Sequence, residues 1–576
     1  MYPGYRNKTK IMKCLFTVIF ILVIQIAKPQ TVEWTVQVGG TESDGGLNVI
    51  TDNSGNILSG GQFRGRVDFD PGPDSTIITR SISASHIFIS KSDTAGNFIW
   101  VVSLTGDAKS YLSAIETDAD NNIFIAGTFS GTYVDFDPGP NSFFLTGTGF
   151  AQDIFFAKYD ANGNFVWAKS MSSADTDEVH DLALDANANI YLTGFFDGTL
   201  TVVPGQSFIS YWWDYFVAKF DSAGNFIWAN VAEGVWQENG RSIVVDGIGN
   251  TYTIGSFNDA IDFDPGPGIY NMNDSMDGGG TFFAKYDPAG NLIWAKMIGA
   301  PGGNATQGHV HATHMRINYA GNLVMAGFFQ GSNADFEPGP NVNYLNAQLP
   351  AGESYIAEYD TSGHCNWTKR INYCRGQSIG HLNLDPSGNI YLTGYMDSLT
   401  TDFDLGPGVV YLPYEGDKDI FAVCYNEHGD YQWAKSFGGT GTQYAGGIYS
   451  ANDGSVYITF STYDTMLVHT SQGTDTIQSR GSSDVVLLKL TNLPLEIPHG
   501  DDEHEEIQMF PNPASEKIYF STTEASEIII YNALGKEVLR RKNIFPVDIS
   551  ALSPGFYFAE LKLKNGGRAV KKFVKE

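Results

Sequence analysis

Cysteine is scarce, with four in 576 residues. Cys14 lies in the N-terminal apolar stretch, which leaves Cys365, Cys374 and Cys424. An odd set this small excludes a disulfide scaffold. Fully extended, Cys365 and Cys374 would stand ~30 Å apart, so pairing them needs a turn; buried free thiols are expected. Positive charge is scarce too: Lys+Arg is 35 against 64 Asp+Glu, a net of −29. Ile507 to Glu576 carries 11 basic and 7 acidic residues, which leaves 24 and 57, a net of −33, on Met1 to Glu506. So acidic a body repels a phosphate backbone, so no nucleic acid partner is expected. Cations and hydroxyl-bearing ligands fit better. Arginines such as Arg64, Arg66, Arg241, Arg316, Arg370 and Arg375 are spread without pattern. Long apolar runs are lacking beyond Cys14 to Ala27, which is short for a bilayer span. Lys8, Lys10 and Lys13 precede that run and Lys28-Pro29 ends it. Residues 1–30 therefore read as a secretory signal peptide, cut between Ala27 and Thr31, and the mature chain has no transmembrane segment.

Glycine and aromatics are plentiful, with 64 Gly, 38 Phe, 29 Tyr and 10 Trp. Many turn formers among many aromatics suggest many short strands. The pattern repeats. Trp34, Trp100, Trp167, Trp228, Trp294, Trp367 and Trp433 recur at intervals of 61 to 73 residues. Asp160-Ala-Asn-Gly-Asn-Phe-Val-Trp167 returns as Asp221-Ser-Ala-Gly-Asn-Phe-Ile-Trp228 and Asp287-Pro-Ala-Gly-Asn-Leu-Ile-Trp294. A second phrase alternates with it, as in Leu382-Asn-Leu-Asp-Pro-Ser-Gly-Asn-Ile-Tyr-Leu-Thr-Gly394. Both are apolar runs joined by an Asp-x-x-Gly-Asn turn, where Gly supplies positive φ and Asp bonds its own backbone. Each period thus holds two hairpins, and four antiparallel strands repeated radially make propeller blades.

The expected fold is all-β: a seven-bladed β-propeller over residues 31–492. First strands fall near Leu47, Ala114, Leu182, Ile243, Met315, Leu382 and Ile448, and fourth strands at the seven tryptophans. The Trp34 strand precedes any first strand, and the last repeat stops after Asp484-Val-Val-Leu-Leu-Lys-Leu490. Pairing the two closes the ring and removes a bare edge. The tryptophans are expected to fill the space between blades. The repeat resembles the propeller repeats of Bacteroidetes surface proteins, in which Gly-Asn-Ile-Tyr-x-Thr-Gly and Ala-Lys-Tyr-Asp phrases alternate.

Tight turns join strands one to two and three to four, so the longer connections share the other face. Long loops on a rigid frame are where function tends to sit. They carry a motif, Val67-Asp-Phe-Asp-Pro-Gly-Pro73, repeated at Val134 and Ile261 and varied at Asp335 and Asp402. Blade three has Thr201-Val-Val-Pro-Gly205 and blade seven has lost the motif. Two readings stand. Asp68 and Asp70, Asp135 and Asp137, Asp262 and Asp264, Asp335 and Glu337, and Asp402 and Asp404 are carboxylate pairs at i and i+2, which suit a hard cation such as Ca²⁺. Alternatively Pro-Gly-Pro makes a rigid turn while the carboxylates cap backbone N–H groups. His309 and His311 would share one face of a strand and His314 the other; surface or interblade histidines are expected rather than a metal site. No catalytic constellation stands out: there is no Gly-x-Ser-x-Gly elbow.

Residues 493–506, with Pro, Gly and an acidic run, read as a linker. Residues 507–576 alternate short apolar strands with turns and fit a small immunoglobulin-like β-sandwich. Phe510-Pro-Asn-Pro513, Tyr531-Asn-Ala-Leu-Gly-Lys536, Leu552-Ser-Pro-Gly-Phe-Tyr557 and Lys572-Phe-Val-Lys575 resemble the type A C-terminal sorting domain of the type IX secretion system. The resemblance assigns the sorting motif to Pro511, Asn512, Pro513, Gly535, Lys536, Gly555 and Lys572. It implies Sec export to the periplasm, recognition by the type IX machinery, and release or attachment at the outer surface. The function expected is a monomeric binding or adhesion module for glycan or a surface protein, not an enzyme. A polysaccharide hydrolase using acidic loop residues and a structural matrix component are the alternatives.

Overall fold

A computed structural model describes residues 30–492 and 509–575, apart from 108, 211, 235, 259, 264–269, 274–279, 300–308, 340, 376–378 and 471–472 in the first stretch. In the second, residues 512, 522–524, 533–536, 543–545 and 564–567 fall outside the description. The signal peptide, apart from Gln30, and the linker therefore lie outside the described residues. Contacts divide the chain into two units, through Asn492 and from Leu493.

All regular elements among the described residues are strands, and the larger unit is a β-propeller repeat architecture. Its described residues form sheets with four antiparallel strands at the heart of each, three of them extended by further strands, and all but one follow chain order across those four strands. Sheet one is Gly45–Thr51, Ile57–Phe63, His86–Ser92 and Phe98–Ser103. The innermost strands of the next five are Lys109–Thr117, Glu178–Leu184, Asn239–Val245, His309–Ile317 and Ile379–Leu384. In sheet seven, Gln443–Ser450, Val456–Thr462 and Asp484–Asn492 are completed by Gln30–Gly40. That N-terminal strand runs antiparallel to Asp484–Asn492, with Thr35 opposite Leu488 and Val38 opposite Val485. Each innermost strand touches the next, and Gln443–Ser450 returns to Gly45–Thr51, so the ring closes.

The turns explain the repeat. In each Asp-x-x-Gly-Asn turn one Asp oxygen accepts two backbone N–H groups and the other accepts the Asn amide, as at Asp160, Asn162 and Asn164. The tryptophans lie between sheets. Trp34 faces Gly96 of sheet one, Trp100 faces Gly163, Trp167 faces Gly224, and Trp228 faces Gly290, always in the following sheet. A Cβ at Gly290, where φ is +88°, would fall 2.8 Å from the Trp228 indole. This glycine is therefore needed for its conformation and for the close approach. A lysine near the end of the third strand reaches back to the first hairpin of its sheet; Lys91 pairs with Asp52 at 2.7 Å, both buried, and Lys158 of an Ala-Lys phrase pairs with Asp118 at 3.4 Å.

The C-terminal unit has a three-stranded and a four-stranded antiparallel sheet. Ile518, Ile528, Ile530, Val547, Leu561 and Phe573 share one apolar cluster.

Candidate functional site

Where the seven innermost strands meet, a cavity of about 140 Å³ runs into the ring. A local irregularity shapes it. In each sheet the pairing between first and second strands slips at one place, as between Val179 and Asp181, Gly240 and Ser242, Ala312 and His314, and Ile379 and His381. A bulge of this kind re-aims side chains. The extra residues Ser113, His180, Arg241 and Thr313 line the cavity, and so do their neighbours Asp181, Ser242, His314 and His381. Glu116, Arg316, Asn383 and Tyr449 line it one level nearer the tight turns.

The charges here are only partly satisfied. Asp181 is held firmly: its oxygens accept Leu182 N–H at 2.9 Å, Ser242 Oγ at 2.7 Å and Ile243 N–H at 3.0 Å. Arg316 lies 3.7 Å from Asp181 and donates to the Met315 carbonyl at 2.8 Å. Arg241 lies exposed at the mouth of the cavity and makes no ion pair or hydrogen bond among the described residues; desolvation lowers its pKa and the Glu178 carboxylate opposes this. Burial pushes the Glu116 carboxyl up to about 7, with Arg316 opposing and Asp181 assisting. His314 falls to about 3 through burial and the two guanidinium groups of Arg316 and Arg241. Burial and Arg316 also hold His381 well below its ordinary value, and its Nδ1 has no hydrogen-bond partner. The rings of His314 and His381 meet edge to face at 5.7 Å. His309 and His311 stack on one another at 6.3 Å, and His311 lies on Phe328.

Sequence reasoning placed the site elsewhere, on the long loops, and read the arginines as unpatterned. Arg241 and Arg316 in fact act on one imidazole. The signal was present: Val179 and Leu182 are both buried in one strand although three residues apart, with polar His180 and Asp181 between them. An even-numbered spacing is what a regular strand gives; the odd one marks the bulge.

In the structure the described carboxylates of the loop motif mostly cap backbone N–H groups. Asp68 Oδ1 accepts the N–H groups of Asp70 and Thr76, and Asp70 Oδ1 accepts that of Gly72. Asp135 and Asp137 do the same for Asp137, Phe143 and Gly139, and Asp402 and Asp404 for Asp404, Val410 and Gly406. Asp335 caps Glu337 and Asn343, and Asp262 caps Tyr270; Glu337 instead contacts His364 and the Cys365 N–H. Asp264 lies outside the described residues. Each first carboxylate closes its own turn, so the pairs do not converge. Among the described residues no group of three or more His, Cys, Asp or Glu could hold a metal ion. The Phe between them is a plug. Phe69, Phe136, Phe263, Phe336 and Phe403 are all buried, each against a third-strand aromatic, such as Phe155 at 5.0 Å for Phe136.

The same face holds buried acid pairs between neighbouring sheets: Asp44 with Asp484, Asp153 with Asp177, and Asp214 with Glu238. Burial and the partner carboxyl raise Asp44 to about 6 and Glu238 to about 8. Their recurrence and sealing from solvent mark them as structural. Sheet three, which lacks the Asp-Phe-Asp motif, instead exposes two tryptophans. Trp212 and Trp236 are each about half exposed, with ring centroids 5.9 Å apart. Trp213 beside them is anchored on Phe195 at 4.6 Å. Cys365, Cys374 and Cys424 are free thiols, and burial drives Cys424 up to about 12.

In the smaller unit Pro511 and Pro513 are exposed, and Gly555 opens the strand Gly555–Leu563 with φ +152°. Lys572 lies in the strand Arg568–Lys575. Asn512, Gly535 and Lys536 lie outside the described residues.

Comparison with known proteins supplies the route. Residues 508–576 match the secretion system C-terminal sorting domain family. The chain is 24% identical over 522 residues to an uncharacterized WD repeat-containing protein of Acanthamoeba polyphaga mimivirus, covering 75% of this chain and 36% of that one. The chain thus spans about a third of that relative's length. Among solved structures it is similar to a streptogramin B lyase, at 9% identity, 80% and 98% coverage and a TM-score of 0.38. It is also similar to a protein of unknown function from Bacteroides caccae, at 10% identity, 66% and 93% coverage and a TM-score of 0.31. The C-terminal unit is a sorting domain, and the chain is a cargo of the type IX secretion system, bound for the cell surface or the extracellular space. No helix among the described residues is long and apolar enough to cross a membrane.

Proposed function

We propose that the chain is an exported, monomeric binding protein: a seven-bladed propeller that takes its ligand in the axial cavity, followed by an immunoglobulin-like sorting sandwich. One observation carries the reading. Polar side chains from every innermost strand line the cavity, those of Ser113, His180, Arg241 and Thr313 at the bulges, and Nδ1 of His381 is left there without a hydrogen-bond partner. Leaving that buried nitrogen unsatisfied costs about 1–3 kcal/mol, which a ligand or ordered water offsets. Export is tested by deleting Ile507 to Glu576 and fractionating cells. The truncated propeller should accumulate in the periplasm, and normal appearance at the surface or in the medium would remove the sorting assignment.

A second reading is favoured by Trp212 and Trp236. Two half-exposed, adjacent indoles on the loop face offer a stacking surface for a sugar ring, as an adhesin for glycan would need. A glycan array with the parent and the Trp212→Ala, Trp236→Ala double variant tests it. Binding lost in the variant supports adhesion. Turnover of a bound polysaccharide would point to a hydrolase, and silence on the array to the cavity alone or to a matrix role.

A further inference from the structure

We propose that Trp212 and Trp236 hold an internal segment of a neutral polysaccharide, one sugar ring on each indole. The inference rests on the second reading above, that the two indoles are a sugar platform, and names the class of glycan the platform takes.

The first argument is geometry. Trp212 leads into the third strand of sheet three, Asp214–Phe220. Trp236 lies between the fourth strand of that sheet, Phe226–Gly234, and the first strand of sheet four, Asn239–Val245. Glu238 N–H donates to the Trp213 carbonyl at 2.6 Å, which ties the two connections together. Trp213 is stacked on Phe195, and the Trp212 backbone N–H donates to Ser210 Oγ at 3.2 Å. The indoles are thus set beside each other before a ligand arrives, which lowers the ordering cost of binding. A sugar clamped between two rings needs two contacts of about 3.5–4.0 Å, or roughly 7–8 Å in all. The centroids are 5.9 Å apart with 34° between the planes, so no sugar fits between them. Each indole is instead open to solvent on its own, 53% for Trp212 and 51% for Trp236. Two adjacent open rings make two stacking subsites, and linked sugars occupy both in one binding event.

The second argument is charge. No charged residue occurs from Gly198 to Trp213 or from Gly234 to Gln237. The matching connection of each other sheet, between strands two and three, carries two or more carboxylates. Here exposed Thr199, Thr201, Ser207, Gln237 and Asn258 offer hydroxyls and amides, and Asn258 Nδ2 donates to the Gln237 carbonyl at 3.4 Å. Asp214 and Glu238, next along the two segments, are buried. The charges at the edge, Asp197 and the Asp175 carboxylate beside Gly198, are negative. A neutral polymer meets no penalty there, and a polyuronate is repelled. The third argument is size. A Trp side chain offers about 250 Å² at most, so the half-exposed pair presents roughly 250 Å² in all. One side of a stable protein interface buries about 800 Å². A patch about a third of that size suits sugar rings rather than a protein partner.

The test is affinity electrophoresis of the chain from Gln30 to Glu576 in gels holding a soluble β-glucan, a galactomannan or an arabinoxylan, against polygalacturonate and alginate. Calorimetry with the tetrasaccharide and monosaccharide of the polymer that binds completes it. At least one neutral polymer should bind, and neither acidic polymer should. Trp212→Ala and Trp236→Ala should each weaken binding about tenfold, and Trp212→Phe and Trp236→Phe, which keep a ring, should weaken it less. The tetrasaccharide should bind at least about tenfold more tightly than the monosaccharide. Unchanged circular dichroism and melting without ligand establish that the variants fold. Three results overturn the proposal and leave the indoles as a sugar platform: an acidic polymer held as tightly, a monosaccharide held as tightly, or a loss confined to one of the two alanine variants. No binding to any of the five polymers, or binding indifferent to both alanine variants, removes the platform as well.

Discussion

Replacing Phe136 by Ala should destabilise the ring, and should do so without reference to calcium. Phe136 is fully buried, lies 5.0 Å from the Phe155 ring, and its carbonyl accepts the buried Tyr159 hydroxyl at 2.8 Å. Truncating a buried Phe costs about 3–5 kcal/mol through lost transfer energy and the hole left behind. Unfolding entropy of about 2.1 cal/mol/K per residue, over a ring of roughly 460 residues, is about 1 kcal/mol/K. If the ring melts as one unit, Tm should fall by about 3–5 °C. Asp135→Asn and Asp137→Asn keep an amide oxygen that still accepts these backbone N–H groups and lose only the charge, so each should cost less than about 1 kcal/mol, or about 1 °C. Scanning calorimetry with EDTA and with millimolar Ca²⁺ separates the two uses of the motif. A plug gives a large loss at Phe136, small losses at the carboxylates, and the same values in both buffers. The reasoning fails if Phe136→Ala melts within a degree of the parent. It fails equally if Ca²⁺ raises Tm by several degrees and Asp135→Asn abolishes the rise, which would restore the cation site.

Gly290→Ala should cost more than Gly321→Ala. Both glycines have φ near +85°, but a Cβ at Gly290 meets the Trp228 indole at 2.8 Å and one at Gly321 meets nothing. Each pays about 1–2 kcal/mol for a left-handed residue, so any excess at Gly290 in chemical denaturation measures the indole contact; equal losses would mean that the tryptophan yields freely. Glu238 is raised to about 8 by burial and by Asp214. A carboxyl raised on folding binds its proton in the folded state first, so its contribution is complete below its ordinary value near 4.5 and is lost as pH rises towards 8. Glu238→Gln should therefore gain Tm relative to the parent at pH 8.5 and not at pH 4.5; a constant difference across that range would refute the raised value.

Much of the frame was legible because it is built from local rules that repeat. Asp160, Gly163 and Asn164 announce a turn whatever surrounds them, and seven copies of the tryptophan strand give the period. The spare strand at Trp34 was readable as the partner of Asp484–Asn492 because an unpaired edge is costly. The loop motif was found but its purpose was not decided, since Asp-x-Asp has the same spelling as a turn cap and as half of a cation site. What the structure adds is Phe155, Phe282 and Phe421 in the third strands, and nothing in a linear spacing says that a loop phenylalanine reaches them.

The cavity was hidden for a different reason. Arg241, Arg316 and Glu116 belong to three different sheets; Glu116 and Arg316 stand at equivalent positions of the repeat, three residues past the bulge, and Arg241 stands at the bulge itself. They meet because the ring closes and because each innermost strand carries one residue too many at the same level. A strict period-2 reading sends His314 to the face opposite His311, yet it assigns Thr313 to the face of His311, whereas both Thr313 and His314 line the cavity. The bulge is thus the step at which a repeated, structurally determined frame acquires an individual chemistry. The core positions on either side of it stay apolar from sheet to sheet, as Val179 and Leu182, or Ala312 and Met315, do. The extra residue is free to differ, as Ser113, His180, Arg241 and Thr313 do. Side-chain variation in this ring is thus concentrated at that level as well as in the long loops.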